Sequence, residues 1–238
     1  MNLILVTAEE AASGTCTLTD NRAEHLRKFL HAAPGSTFRV GIIDGLQGEA
    51  TVTEVTDAAV TFSLVCEEAP LQPWYDLILA LPRPRSLRRI LFQSAAMGVR
   101  KVFIVGAKKV EKSYFSMHLL REEEYRPVLL EGLMQGKSTI FPKLTIVPKF
   151  HELWPLLPEE DTLRLIANPA ERNTLSADAK GFPLIAVGPD GGWTEAENQA
   201  FAEHGFQPFT LGSRPLRTDT AAIALPAVIQ DRLYFREF

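Results

Sequence analysis

Apolar and polar positions follow two different patterns along the chain. Up to Ala69, short runs rich in apolar and β-branched residues predict strands rather than long helices. The predicted strands are Leu3–Val6, Thr37–Ile43, Glu49–Val55 and Ala59–Val65. The second and third of these flank the dipeptide Asp44-Gly45, which is typical of a hairpin turn.

One helix interrupts these strands. Asp20 or Asn21 can cap its start, and Leu26, Phe29 and Leu30 recur at helical spacing to form an apolar stripe. The following proline and glycine, at positions 34 and 35, are predicted to end it. Several short strands with one helix in the first 70 residues predict a small β-barrel.

Beyond a linker bracketed by Pro70 and Pro73, apolar strand-like runs alternate with segments of helical periodicity. The predicted strands are Leu77–Leu81, Lys101–Val105, Leu144–Val147, Leu163–Ala167 and Leu184–Val187. The predicted helices are one that Gly98 ends, then Glu122–Met134, Thr194–His204 and Asp219–Leu233, the last bent at Pro226. This alternation predicts an α/β domain with a parallel sheet covered by helices.

Composition places the chain among folded proteins. Of its 238 residues, 46% are hydrophobic and 23% charged, which is unlike a disordered or fibrous chain. We expect no membrane span, because no apolar run approaches the roughly 20 residues required, and no secretory signal. Two cysteines, Cys16 and Cys66, can form neither a disulfide framework nor a four-thiolate zinc site. These features favour a cytoplasmic protein.

The net charge of −4 conceals a strongly basic segment. From Arg83 to Lys112 there are nine basic residues and one acid, so the rest of the chain carries −12. The basic residues are Arg83, Arg85, Arg88, Arg89, Arg100, Lys101, Lys108, Lys109 and Lys112. A basic surface on an acidic protein is expected where phosphates are bound. A solvated helix face followed by loop lysines would give the same sequence.

The first candidate site is a glycine-rich loop after a predicted strand. The apolar run Leu184–Val187 leads through Gly188-Pro189-Asp190-Gly191-Gly192 into a helix. Thr194 and Glu197 have the spacing of a capping box, which marks the helix start. Three glycines between a strand and a helix let a ligand approach backbone amides, and such loops often bind ligands in α/β sheets. A plain tight turn is the alternative.

The second candidate site is the segment Leu211–Ala221, which again leads into a helix. Arg217, Thr218, Asp219 and Thr220 place many hydrogen-bonding groups directly before an apolar run. An ordinary helix N-cap with an acid in the first turn would explain Thr218 and Asp219. Arg217 fits that explanation less well, because a cation at a helix N-terminus opposes the helix dipole.

Several common motifs are missing from the chain. It has no G-x-G-x-x-G and no G-x-S-x-G segment, and Gly136-Lys137-Ser138 lacks the first glycine of a P-loop, where Glu131 stands. No pair among the five histidines has the H-E-x-x-H spacing, so we expect no metal site.

The two loops resemble those of the RsmE-type 16S ribosomal RNA uridine-N3 methyltransferases, which belong to the SPOUT superfamily. The usual family patterns are I-G-P-E-G-G and L-G-x-R-I-L-R-x-E-T-A, to which Gly188–Gly192 and Leu211–Ala221 correspond. The resemblance extends over most of the chain. Other matching segments are His25-Leu26, Gly35, Leu79–Pro84, Ala96–Val99 and Val110–Tyr114.

The resemblance implies a fold of two domains. Residues 1–70 would form a PUA-like β-barrel that binds RNA, and residues 73–238 a SPOUT methyltransferase domain whose final segment threads a trefoil knot. The implied cofactor is S-adenosyl-L-methionine, and the implied partner is the 16S ribosomal RNA of the small ribosomal subunit. The family acts as a homodimer, and neither a membrane nor a metal ion is implied.

The resemblance also implies roles for individual residues. Asp219 would take the proton from uracil N3, and Arg217 would stabilise negative charge on the uracil oxygens, so both would be catalytic. The implied cofactor-binding residues are Gly188, Pro189, Asp190, Gly191, Gly192, Leu211, Gly212, Leu216 and Thr218. The implied RNA-binding residues are Arg83, Arg85, Arg88, Arg89, Lys112 and Arg214.

Some positions depart from the family pattern. Asp190 and Asp219 stand for glutamates, Pro215 for an aliphatic residue, and Phe29-Leu30-His31 for Val-Leu-Arg. The departures affect the RNA side more than the cofactor side. Two alternatives therefore stand beside the main interpretation. One is a non-catalytic RNA-binding or ribosome-associated protein of the same fold, and the other is an RNA methyltransferase with a different target base or a ribose target.

Overall fold

The computed structural model describes residues 2–158, 161–168 and 179–234. The chain divides into two compact units, the first made of Met1–Gln72 with Leu130–Phe141, the second of Pro73–Leu129 with Pro142–Phe238. The division after Gln72 falls within the predicted linker. The return of Leu130–Phe141 to the first unit differs from the sequence interpretation, which assigned all of 73–238 to one domain.

The first unit contains a five-stranded sheet in the order β1-β3-β4-β5-β2. Its strands are β1 (Ile4–Val6), β2 (Thr15–Leu18), β3 (Thr37–Ile42), β4 (Gln47–Val55) and β5 (Val60–Glu68). β1 pairs with β3 in parallel, and the other neighbours are antiparallel. Among the described strands, β1 and β2 are the two edge strands of this sheet. A closed PUA-like barrel therefore stays a prediction.

Two helices accompany this sheet, α1 (Ala8–Ala11) and α2 (Asn21–Lys28). Thr7 and Glu10 form a capping box at the start of α1, and the side chain of Asp20 caps α2. Arg22 donates to Glu10 at 2.6 Å and to Asp20 at 2.7 Å. These hydrogen bonds hold the pKa of both carboxyl groups below their ordinary values and connect the two helix starts.

The predicted apolar stripe of α2 is wrong in part. Leu26 is buried, but α2 ends at Lys28, and Phe29 is 70% exposed with Leu30 exposed beside it. The helix therefore ends before Pro34 and Gly35, which were expected to end it. A positive φ of 48° at His31 is incompatible with a continued helix.

Hydrogen bonds explain why Leu130–Phe141 belongs to the first unit. The amide of Asn2 donates to Met134 O at 3.1 Å, and the amide of Asp44 donates to Thr139 O at 2.8 Å. The Thr139 hydroxyl donates to Gly45 O at 2.6 Å, and the Phe141 amide donates to the Asp44 carboxylate at 2.7 Å. The turn at Asp44-Gly45 thus binds a distant segment as well as closing its hairpin.

The second unit contains a six-stranded sheet in the order β11-β9-β10-β6-β7-β8, and every pairing in it is parallel. The strands are β6 (Tyr75–Ala80), β7 (Val99–Val105), β8 (Lys143–Val147), β9 (Thr162–Ala167), β10 (Phe182–Val187) and β11 (Gln207–Phe209). The helices are α3 (Pro84–Ala96), α5 (Glu195–Glu203), α6 (Thr218–Tyr234) and the first part of α4 (Glu122–Gly136), which passes into the first unit at Leu130. The predicted α/β architecture with a parallel sheet is therefore confirmed.

The helices of this unit begin and end where local signals place them. Pro84 is the first residue of α3, Gly98 has a φ of 85° just after its end, and Thr194 caps α5. α6 packs against α3 and β10. Within the described part of the chain, no helix has the length and apolar character needed to cross a membrane.

An ion pair joins the central strands of the parallel sheet. Asp76 of β6 is fully buried and accepts two hydrogen bonds from Arg100 of β7, at 3.0 and 2.8 Å. The guanidinium of Arg100 also lies 3.9 Å from the ring centre of Phe182 of β10. A buried carboxylate requires such compensation, because its desolvation otherwise costs several kcal/mol.

Removing Arg100 should therefore destabilise the second unit. We expect Arg100→Met to lower the free energy of unfolding by about 3 kcal/mol, since it leaves the Asp76 charge buried and uncompensated. Denaturation in urea measures this. Lys149→Met is the matched control: Lys149 of the same unit forms an exposed pair with Glu152 at 3.2 Å, and such pairs are worth at most about 1 kcal/mol. Equal losses in the two variants would contradict the prediction.

Candidate functional site

A pocket of about 280 Å³ lies where strands of the parallel sheet end. Ala167, Val187 and Phe209, the last residues of β9, β10 and β11, line it together with Ala221 and Leu225 of α6. Ligands of open α/β sheets bind at the carboxyl ends of the strands. The pocket therefore lies at the position where this architecture binds its ligands.

The glycine-rich loop after β10 forms one wall of the pocket. The Gly192 amide donates to Pro189 O at 2.7 Å, and Gly192 has a φ of 67°. A Cβ at position 188 would lie 3.1 to 3.3 Å from the indole of the buried Trp193. A side chain at 188 would therefore press on this indole, and the backbone conformation favours glycine at 192.

Residues of the loop that follows β7 hold the glycine-rich loop in place. Lys109 donates to Gly191 O at 2.6 Å. The amide of Lys108 donates to the carboxylate of Glu197 at 2.7 Å, and Glu197 also accepts from the Thr194 amide and hydroxyl at 2.7 and 2.8 Å. The predicted capping box is confirmed. Its Glu197 also anchors the basic loop after β7 through the hydrogen bond from the Lys108 amide.

The hydroxyl of Thr218 joins the second loop to the first. Thr218 is the first residue of α6 and only 4% exposed. Its Oγ1 lies 3.0 Å from Gly188 O and 3.1 Å from Asp190 Oδ1. The first loop and the start of α6 are thereby held together as two walls of one pocket.

Asp219 lies directly beside this junction. Its side chain is 11% exposed, whereas that of Arg217 is 74% exposed. Asp219 Oδ1 accepts from the Thr220 amide at 2.9 Å and lies 3.9 Å from Arg217 Nε, and Oδ2 lies 3.6 Å from Arg89 Nη1. A nearly buried carboxylate at this position has the geometry to accept a hydrogen bond from a molecule in the pocket.

Most of the predicted cofactor residues come together around the pocket. Those that line it are Gly188, Pro189, Asp190, Gly191, Gly192, Leu211, Leu216 and Thr218. Gly212 lies in the same loop, where its amide donates to Thr210 Oγ1 at 3.2 Å. Arg214, predicted to bind RNA, also lines the pocket. Whether each residue binds a cofactor stays a prediction.

The predicted RNA-binding arginines do not share one environment. Arg83 Nε lies 3.9 Å from Asp190 Oδ2, and Arg89 contacts Asp219 as described above. Arg85 and Arg88 are exposed on α3, and Lys112 is exposed in a short 3-10 helix. α3 therefore directs part of its basic charge toward the two pocket loops.

Sequence reasoning missed several residues of this site. Asn168 lines the pocket and directly follows β9, a position where a polar residue after an apolar strand could have been noticed. Lys109 gave no such signal, because its partner is the backbone of Gly191. Among the described residues, no three His, Cys, Asp or Glu side chains are grouped in a way that could hold a metal ion.

Comparisons with known proteins point to one family. A family model for an RNA methyltransferase domain matches residues 67–230. The ribosomal RNA small subunit methyltransferase E of Treponema pallidum is 34% identical over 96% of this chain and 90% of its own length. Ribosomal RNA small subunit methyltransferase E 1 of Borreliella burgdorferi is 31% identical over 98% of this chain and 99% of its own length.

Solved structures show the same fold. The ribosomal RNA small subunit methyltransferase E of Neisseria gonorrhoeae, crystallised with S-adenosyl methionine, superposes with a TM-score of 0.78 at 24% identity over 97% of both chains. A methyltransferase of Legionella pneumophila, also in complex with that cofactor, gives 0.77 at 20% identity over 96% of both chains.

Proposed function

The chain belongs to the RsmE-type family of ribosomal RNA small subunit methyltransferases, and from this we propose that it transfers a methyl group from S-adenosyl-L-methionine to N3 of a uridine in 16S ribosomal RNA. The observation that carries the proposal is the pocket formed by the loops 188–192 and 211–218 at the carboxyl ends of parallel strands. Both loops are those that resemble the family motifs.

The size and the lining residues of the pocket support S-adenosyl-L-methionine as its ligand. Its volume of about 280 Å³ is close to the lower end of about 300 Å³ for ligand sites. Leu211, Leu216 and Val187 would cover an adenine ring, and backbone groups of the glycine-rich loop would bind polar edges. Asp190 offers a carboxylate acceptor for hydroxyl groups.

Residues beside the pocket can perform the proton transfer. When bound, S-adenosyl-L-methionine supplies an electrophilic methyl group on a sulfonium. The uracil N3–H is an acidic imide between two carbonyls, and Asp219 would take its proton directly or through one water molecule. Arg217 would stabilise the negative charge that develops on the uracil oxygens. Because N3–H is paired within a duplex, the expected substrate is an unpaired or extruded base.

The proposal includes the remaining features that the family resemblance implies. The first unit would act as the PUA-like RNA-binding domain, and the final segment would thread the trefoil knot. The strand order and packing meet what a knot requires: after β11, at one edge of the sheet, the chain returns to β10 and α3, where α6 packs. The protein would act as a homodimer in the cytoplasm, where its ribosomal substrate is found.

The nucleoside product tests the proposed function. We expect small ribosomal subunits that lack the modification, incubated with the protein and labelled S-adenosyl-L-methionine, to yield 3-methyluridine on nucleoside mass analysis. Label on a ribose or on another base would instead support the related methyltransferase. RNA binding without transfer would support the non-catalytic alternative.

Arg217 should act in the chemical step. Loss of one preorganised charge-stabilising donor typically costs about 10²–10³ in rate, so we expect Arg217→Ala to lower single-turnover methylation by that factor while the affinity for S-adenosyl-L-methionine stays near normal. Arg217→Lys should recover only part of the rate, because an ammonium lacks the planar two-donor fork. A wild-type rate at saturating RNA, or a joint loss of melting temperature and cofactor affinity, would make Arg217 structural.

Gly192 should be needed for cofactor binding. An alanine held in the left-handed region costs about 1–2 kcal/mol, and relief of that strain would move the loop. We expect Gly192→Ala to weaken S-adenosyl-L-methionine binding in calorimetry about tenfold. Gly205→Ala is the matched control, because Gly205 also has a positive φ, of 78°, with open space around its missing Cβ, and does not line the pocket. Equal affinities for S-adenosyl-L-methionine in the two variants would show that the loop is not part of the cofactor site.

A further inference from the structure

Two arginines of α3 and of the turn before it contact the acids of the pocket loops. Arg89 Nη1 lies 3.6 Å from Asp219 Oδ2, and Arg83 Nε lies 3.9 Å from Asp190 Oδ2. Sequence reasoning assigned both arginines to RNA phosphates. The contact with Asp219 is the more informative of the two, because Asp190 is more than half exposed whereas the Asp219 side chain is 11% exposed.

Asp219 needs compensating partners because it is largely removed from water. A buried carboxylate is stable only when it is paired or hydrogen-bonded. Oδ1 accepts from the Thr220 amide and faces Arg217, whereas Oδ2 faces Arg89. The two oxygens therefore have different partners from different elements, and this asymmetry opposes rotation of the carboxylate.

The backbone of Arg89 is held firmly enough to orient its partner. Leu87, Ile90 and Leu91 are completely buried, and α3 packs against α6. Arg89 itself is 68% exposed, so its guanidinium reaches the acid from a rigid helix along the protein surface. Groups that orient catalytic side chains are most effective when they are attached to such rigid elements.

We propose that Arg89 is a positioning residue for Asp219 in methyl transfer and not primarily a phosphate contact. The inference rests on the proposed function, in which Asp219 accepts the N3 proton. Arg89 fixes the orientation of the carboxylate, so that the accepting oxygen faces the uracil before the RNA arrives. A misplacement of about 1 Å can cost about 10²-fold in rate, so the effect belongs to the chemical step.

Single-turnover methylation at saturating RNA and cofactor tests the proposal. We expect Arg89→Gln to lower the rate about 10- to 100-fold, while RNA affinity and its salt dependence stay close to wild type. Arg89→Lys should restore part of the rate, because it retains the charge. Arg121→Gln, an exposed arginine distant in sequence from both loops, is the control and should keep the wild-type rate. Melting temperatures and cofactor affinities of all variants show whether each is folded.

Arg85→Gln supplies the comparison for a phosphate contact. Loss of a phosphate contact to single-stranded RNA flattens the log–log salt dependence of binding by about 0.7. If Arg89→Gln flattens the slope in this way and keeps the full rate at saturating RNA, Arg89 contacts phosphate and the proposal is wrong. A faster rate in Arg89→Gln would also overturn it, because the ion pair would then restrain Asp219. If Arg89→Gln does not fold, an undiminished rate in folded Arg89→Lys, with its different donor geometry, overturns the proposal.

The wild-type protein separates this inference from the proposed function. An active wild type with an equally active Arg89→Gln overturns the inference alone. A wild-type protein that methylates no RNA overturns the proposed function, and the positioning role of Arg89 is then overturned as well.

Discussion

The hydroxyl of Thr218 holds together the two loops on which the pocket depends. It lies within hydrogen-bonding distance of the Gly188 carbonyl and of the Asp190 carboxylate, although 30 residues separate Thr218 from Gly188 along the chain. Because the hydroxyl is buried, loss of its hydrogen bond would leave a carbonyl without compensation. This contact therefore joins the start of α6, where Asp219 lies, to the first loop.

The charges around the pocket follow from the same arrangement. β6 is followed by α3, and β10 is followed by the glycine-rich loop. Because these neighbouring strands are parallel, both segments begin at the carboxyl ends of the strands, on the same side of the sheet. Arg83, just before α3, then faces Asp190, and Arg89, within α3, faces Asp219. Lys109, in the loop after β7, binds the glycine-rich loop. The basic segment is thus in contact with both loops of the pocket.

Local signals predicted much of the fold, and the misses have physical causes. Thr194 and Glu197 were correctly identified as a capping box, because this motif involves residues three positions apart. Thr7 and Glu10 have the same spacing and form a capping box, but the sequence signal for α1 is weak because only one turn of helix follows. The predicted apolar stripe of α2 includes Phe29, because an apolar residue at helical spacing predicts burial, whereas the tertiary structure leaves that ring exposed.

The sequence by itself determined the alternation of strands and helices, the two loops, and the family, because each depends on residue patterns within a short segment. Only the tertiary structure decided that Leu130–Phe141 returns to the first unit, that Lys109 binds the Gly191 carbonyl, and that Arg89 faces Asp219. These contacts join segments far apart in the chain, and their formation depends on strand order and side-chain direction. Local periodicity does not encode the strand order, since it specifies which face of an element is buried but not which distant element covers that face.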